Sequence, residues 1–178
     1  MRRALLLPLL LMIMNCSSTI PNQAPMGKTF PTTRGNSLDG KAYLLPEDFS
    51  GKPVVLLIGY TQRSQFDLDR WILGLLQLES PVRLVELPTI DGMFPGLFAN
   101  RIDESMRRGI PEEDWGTVIT IYDDAAPVLT FTGNENPNRG RVILLDKQGT
   151  VVWFSDRGYS ASQVKDLDTR VRAILDNE

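Results

Sequence analysis

The segment that most restricts what this chain can become is a five-residue apolar run, Val54 to Ile58. It is closed by Gly59-Tyr60-Thr61 and followed at once by a helical pattern. A short Val/Leu/Ile run with Pro53 before it and a glycine after it reads as a buried strand. Phe66, Trp71, Ile72, Leu75, Leu76 and Leu78 then predict a helix that is nearly apolar all round after its first turn, and so expected to be buried on a sheet. Asp67 and Asp69 near its start complement the positive end of a helix dipole. Glu79-Ser80-Pro81 stops the helix, and Val82 to Leu87 reads as the next strand, ahead of Pro88 and an Asp91-Gly92 turn. A strand–helix–strand unit implies parallel pairing with a right-handed crossover.

Around this unit the chain reads as follows. Phe30 to Phe49 predicts an entry hairpin turning at Asp39-Gly40, where glycine supplies the positive φ such turns require. Pro46 to Phe49 predicts one helical turn, ended by Gly51-Lys52-Pro53. Phe94, Leu97, Phe98, Ile102, Met106 and Ile110 recur at helical spacing, with Arg101, Arg107 and Arg108 off the stripe, and predict a core-packing helix with a basic solvated edge. Thr117 to Tyr122 predicts a strand. Asp123 to Arg139, with Pro127, Gly133, Asn134, Asn136 and Pro137, predicts a long polar connection. Arg141 to Lys147 and Thr150 to Phe154, about a Gln148-Gly149 turn, predict a hairpin. Ser160 to Gln163 has the form of a capping box opening a last helix, whose buried stripe is Val164, Leu167, Val171 and Ile174. The whole is one α/β domain of three layers, a central mixed sheet with helices on both faces, without internal repeat or second domain.

Composition removes several classes of chemistry. The chain has no histidine and one cysteine. Ser-His-Asp and Cys-His catalysis, most zinc and copper sites, and intrachain disulfides are thereby excluded. There is no Gly-rich phosphate loop, and no Lys/Arg run longer than a pair follows the leader, which argues against a nucleic-acid partner. No cofactor and no metal are expected. The carboxylates Glu112-Glu113-Asp114 and Asp123-Asp124 would serve a hard cation only if other segments converged on them.

The leader gives the cysteine a meaning. Arg2-Arg3 precedes an apolar run, Ala4 to Met14, which is too short to span a bilayer comfortably but suits a signal-peptide core. Cys16 follows it. The pattern resembles a bacterial lipoprotein leader, although Asn15 stands where those signals prefer Gly, Ala or Ser. This predicts a signal peptide over 1–15, a lipidated Cys16 with a flexible tether over 16–28, and the domain over 29–178. The implied location is the bacterial cell envelope, lipid-anchored and facing the periplasm, with the membrane as one partner. The alternatives are a leader cut elsewhere or an uncleaved anchor.

Three resemblances bear on function. The Asp39-Gly40-Lys41 turn and the DFSGKPVVL approach to the first core strand resemble the peroxiredoxin and thiol-oxidoreductase branch of the thioredoxin-like superfamily, which implies a thioredoxin-like fold. In that superfamily the strand-to-helix junction carries the reactive cysteines; here it carries Arg63, Ser64, Gln65 and Asp67. The phrase LLIGYTQRSQFDL resembles the copper-delivery proteins of cytochrome oxidase assembly, with Arg63 and Asp67 at the two cysteine places and Leu68 at the proline place. Gly140 falls where many thioredoxin-like enzymes place a cis-proline. The second half, IPEEDW, ENPNRGRVILLDKQGTVVW and RGYSASQ, resembles the mitochondrial ATP synthase assembly factors. Trp115, Asn136, Gly140, Asp146, Gly149 and Trp153 stand at motif positions, and Val152 stands where that family has an arginine.

What these resemblances imply is a non-catalytic protein, an assembly chaperone or interaction module for a membrane complex, with ATP synthase subunit a the specific client. Its partner surface would be Tyr60, Thr61, Arg63, Gln65 and Asp67, together with loop 123–139. Arg63 and Asp67 could form an i,i+4 pair worth only ~0.2–0.5 kcal/mol, and both read as surface remnants of a lost site. Trp115 and Trp153 read as packing residues. The competing expectations are a thiol-independent enzyme using carboxylates and arginines, a redox role for an unlipidated Cys16, and a structural part of an envelope machine.

Overall fold

The computed structural model describes residues 19–92 and 95–176, with the side chains of 95–97 left aside. The expectations for the leader, Cys16, Phe94 and the Leu97 side chain lie outside that description.

The apolar run forms strand β3 (Val54–Gly59), with Val54 to Ile58 fully enclosed. It lies at the centre of a sheet, parallel to β4 (Arg83–Pro88) and antiparallel to β6 (Arg141–Leu145), which pairs in turn with β7 (Val151–Ser155). The entry hairpin forms as expected, β1 (Thr33–Ser37) against β2 (Ala42–Leu45), and Gly40 takes φ +91° in its turn. This hairpin makes a second sheet with the short β5 (Ile119–Thr120). Parallel bridges Glu86–Val118 and Thr89–Ile121 join the two sheets along β4. The sheet is therefore mixed, and each of its faces holds an apolar cluster. Leu56, Ile58, Val85, Leu87 and Ile143 face one side, and Val55, Leu57, Val142 and Leu144 face the other.

On the second side pack α1 (Gln65–Gln77) and α4 (Ala161–Leu175), through Leu68, Trp71, Leu75, Val164, Leu167 and Val171. Gly74 is where these two helices meet; a Cβ there would stand 3.0 Å from Val164 Cγ1. The α4 stripe matches the periodicity. The capping box does not form: Ser160 has no side-chain cap bond, and Gln163 Oε1 instead accepts from Ser155 Oγ at 2.7 Å.

Several expectations are corrected. Helix α1 is one-sided, not enclosed: Phe66, Leu73 and Leu76 are 74%, 58% and 60% exposed. A single sheet contact covers only about a third of a helix circumference, and Leu68, Trp71 and Leu75 fill it. Helix α2 (Pro95–Arg107) is peripheral, with Phe98 open to solvent, and is held through Tyr122 Oη donating to Asp103 Oδ1 at 2.6 Å. The strand expected over Thr117 to Tyr122 shrinks to Ile119–Thr120, because a 3-10 segment takes Glu112–Thr117. The long connection contains a helix, α3 (Ala125–Thr132), that buries Ala125, Val128, Leu129 and Thr132. Pro127 in its first turn, where its missing N–H costs no helical bond, disguised it as loop.

From Ile20 onward the segment expected as a flexible tether lies against the domain. Ile20 and Asn134 exchange hydrogen bonds, Gln23 N donates to Thr132 O, and Gly27, Lys28 and Phe30 bond to Gly149 and Val151. Among the described residues no helix is long and apolar enough to cross a membrane.

Candidate functional site

The strand-to-helix junction lies at the C-terminal end of β3, where a sheet of this kind presents its ligands. Gly59 gives way to a 3-10 turn, Gln62–Ser64, and then to α1. The turn is tight. Ser64 is buried and its Oγ donates to Thr61 O at 2.6 Å, while a Cβ on residue 59 would stand 2.7 Å from that Oγ.

Asp67 is the centre of the site, in a role that corrects the expectation. It does not pair with Arg63; the ion pair among the described residues is Arg172–Asp168. Its Oδ2 accepts the Gly140 N–H at 2.9 Å and its Oδ1 the Tyr159 N–H at 2.6 Å. One carboxylate thus ties the first turn of α1 to the loop before β6 and the loop before α4. Gly140 is fitted to this arrangement. A proline there could donate nothing, and any Cβ would lie 2.1 Å from Leu68 Cδ2.

Behind the clasp lies Arg141, fully buried at the head of β6. Its Nη1 donates to Asn136 O at 2.7 Å and Arg139 O at 2.8 Å, and its Nη2 to Asn22 Oδ1 at 3.0 Å. The guanidinium lies 5.3 Å from the centre of the Tyr60 ring. It has no ion-pair partner among the described residues, and burial pulls its pKa below the ordinary arginine value. Carbonyl dipoles, an amide and a π-face hold this cation. Tyr60 Oη is hydrogen-bonded to Thr132 Oγ1 at 2.5 Å, and burial pushes its pKa up to about 12.

On the other flank Gln65 Nε2 donates to Asp69 Oδ1 at 2.9 Å and to Glu86 Oε2 at 2.7 Å. Burial raises the Glu86 pKa, partly opposed by the Gln65 bond. Thr61 Oγ1 donates to Asn138 Oδ1 at 3.0 Å.

The structure thus gathers Tyr60, Thr61, Gln65, Asp67, Asn136 and Gly140 at one end of the domain, with Arg63 exposed beside them. The other motif positions serve local packing. Asp146 Oδ1 accepts from Gln148 N and Thr150 N, both at 2.9 Å, in the β6–β7 turn. Gly149 has φ +79° in that turn. Trp153 Nε1 donates to Asp166 Oδ2 at 2.7 Å and its ring meets Trp71 edge-on. Trp115 Nε1 donates to Ile110 O at 3.0 Å, under the Arg107 guanidinium.

Sequence reading passed over Asn22, Glu86, Arg141 and Tyr159. Only Arg141 carried a signal, as a charge heading the otherwise apolar strand RVILL. Among the described residues no group of three or more His, Cys, Asp or Glu side chains is placed to hold a metal ion.

A mixed sheet with helices on both sides and this junction define a thioredoxin-like α/β fold. The chain is similar to an SCO1/SenC family lipoprotein from Bacillus anthracis, at TM-score 0.59 and 13% identity over 87% of this chain and 99% of that one. It is similar to yeast Sco1 solved with copper bound, at TM-score 0.58 and 15% identity over 84% and 94%. It is also similar to an exposed lipoprotein thioredoxin from Streptococcus pneumoniae, at TM-score 0.54 and 14% identity over 79% and 99%. No family model and no curated protein matches the chain, and the resemblance to ATP synthase assembly factors finds no support in these comparisons.

Proposed function

We propose that this protein is a membrane-tethered, non-catalytic thioredoxin-like module that binds a protein of a membrane complex during assembly. The observation that carries the reading is Asp67. At a place where the resembled families hold a reactive thiol, this chain has a carboxylate with both oxygens committed to backbone N–H groups. Such a group braces loops and is poorly placed to react. The lipoproteins among the structural neighbours support a bacterial envelope location, with Cys16 as the lipidated residue. The partner surface is the exposed rim of the junction, Thr61 to Asp67, with loop 133–140 beside it.

Affinity capture of the full chain from detergent-solubilised membranes tests this. Recovery of a membrane-complex subunit is expected, and its loss on charge reversal of Arg63 would place the contact at the junction. ATP synthase subunit a is the first client to look for, and only parts of it facing the anchor's side of the membrane are within reach. Capture of no membrane-complex subunit counts against the reading.

A second reading, a thiol-independent enzyme, draws on Glu86, a carboxylate whose pKa is raised by burial beside the junction. Turnover of a peroxide or disulfide substrate by the purified chain, surviving Cys16→Ser, would favour an enzyme over a binding module.

A further inference from the structure

We infer that the junction end of the domain faces the lipid bilayer itself, with a phospholipid surface as its occupant while no client protein is bound there; this rests on the lipid anchor at Cys16 proposed above. The first described residues after that anchor are fixed at this end. Ile20 N donates to Asn134 Oδ1 at 2.6 Å and Asn134 N to Ile20 O at 2.9 Å. Asn22 Oδ1 accepts from both Glu135 N and the buried Arg141. The loop so engaged is the one that reaches Thr61 through Pro137 O and Asn138 Oδ1.

Reach then decides the orientation. Ile20 lies four positions beyond Cys16, a fully extended span of about 14 Å. A domain of this size has a radius of gyration of about 15 Å, hence a diameter of roughly 40 Å. A tether that short, starting from the junction end, cannot bring the opposite end of the domain to the membrane.

The surface presented there suits a bilayer. Phe66 is 74% exposed on the first turn of α1, and Tyr159, 38% exposed, is held at the same end by its N–H bond to Asp67, with its ring edge-on to Trp71. Aromatic rings of this kind favour the headgroup level of a membrane. Around them Arg63, Arg139 and Arg157 are exposed and, among the described residues, unpaired with a carboxylate. Their stems can lie along acyl-chain carbonyls while the guanidinium groups donate to lipid phosphate. Asp69, Glu135 and Asp156 are also at this end, so shape and reach contribute more than net charge.

The test uses the full chain, acylated by a bacterial host and reconstituted into phosphatidylethanolamine/phosphatidylglycerol vesicles. With Cys16 blocked by acylation, Phe66→Cys and Lys52→Cys each offer a single thiol for a nitroxide label; Lys52 is exposed and precedes β3, at the opposite end. The expected result is a label at 66 several-fold less accessible to a water-soluble nickel relaxant than the label at 52. Arg139→Glu with Arg157→Glu should bring accessibility at 66 up toward that at 52. Equal accessibility at 66 and 52 in the vesicle-bound, acylated protein overturns the inference and leaves the interaction module standing. Protection at 66 that appears only when a client membrane fraction is added also overturns it, in favour of a protein contact. A chain without acyl mass on Cys16 overturns both the anchor and the orientation.

Discussion

Asp67 shows how one side chain can tie a junction together. Its two hydrogen bonds to backbone N–H groups are charge-assisted, each of a kind worth about 1.5–3 kcal/mol, and they join three segments distant in sequence. Asp67→Ala should therefore lower unfolding stability by about 2–4 kcal/mol, since both N–H groups lose their partner. Arg63→Ala, at an exposed side chain with no ion pair among the described residues, should stay within about 0.5 kcal/mol. Urea unfolding of the two variants checks the pair; equal losses would contradict the clasp. Glu86 supplies a pH signature. Burial raises its pKa in the folded protein, so the stability associated with it is present below the ordinary glutamate pKa and is lost as pH rises through the folded value. Glu86→Gln keeps an acceptor for Gln65 and removes the buried charge. The variant should melt higher than the parent at pH 7, and the gap should close by about pH 4, below the reference glutamate value. A gap that widens toward acid would have the wrong sign.

At the scale of elements, α1 carries both the success and the failure of pattern reading. Its start, length and position after β3 follow from the sequence, but its apolar residues do not all face inward. Trp71, fully buried and packed edge-on against Trp153 and Tyr159, anchors the helix to the sheet. Leu73, on the opposite side, is 58% exposed. Trp71→Ala should cost about 3–5 kcal/mol, as large buried side chains do. Leu73→Lys should change stability by no more than about 0.5 kcal/mol, and thermal or urea unfolding separates the two. A large loss from Leu73→Lys would mean that the outer face of α1 is covered. Helix α3 teaches the converse. Eight residues with an internal proline give too weak a period to be read, and tertiary burial of Val128 and Leu129 stabilises a helix that local propensity would not.

For the molecule as a whole, the N-terminal strap matters beyond its size. Residues 20–30 close over the end of α3 and the β6–β7 hairpin, and Asn22 accepts a hydrogen bond from the buried Arg141 guanidinium. Asn22→Ala should cost about 1–2 kcal/mol. It should also speed hydrogen exchange in the loop 133–140 more than in β3, which is enclosed on both faces. Uniform acceleration across the sheet, or none, would argue that the strap does not hold that loop. The same strap fixes Ile20 at the junction end of the domain, and so links the fold to the membrane orientation inferred above.

By itself the sequence determined the sheet-centred α/β plan, the entry hairpin, the β6–β7 hairpin and the α4 stripe, because each is written as a local period with turn residues at its ends. It also determined what the junction lacks, because missing thiols and histidines are facts of composition. What only the tertiary structure decided is the use of the residues that remain. Asp67 meets Gly140 and Tyr159, and Arg141 meets Asn22, across 73, 92 and 119 positions of chain. No local period records a partner that far away; the closing of the sheet and helices brings the groups within 3 Å and decides which of them each charge hydrogen-bonds.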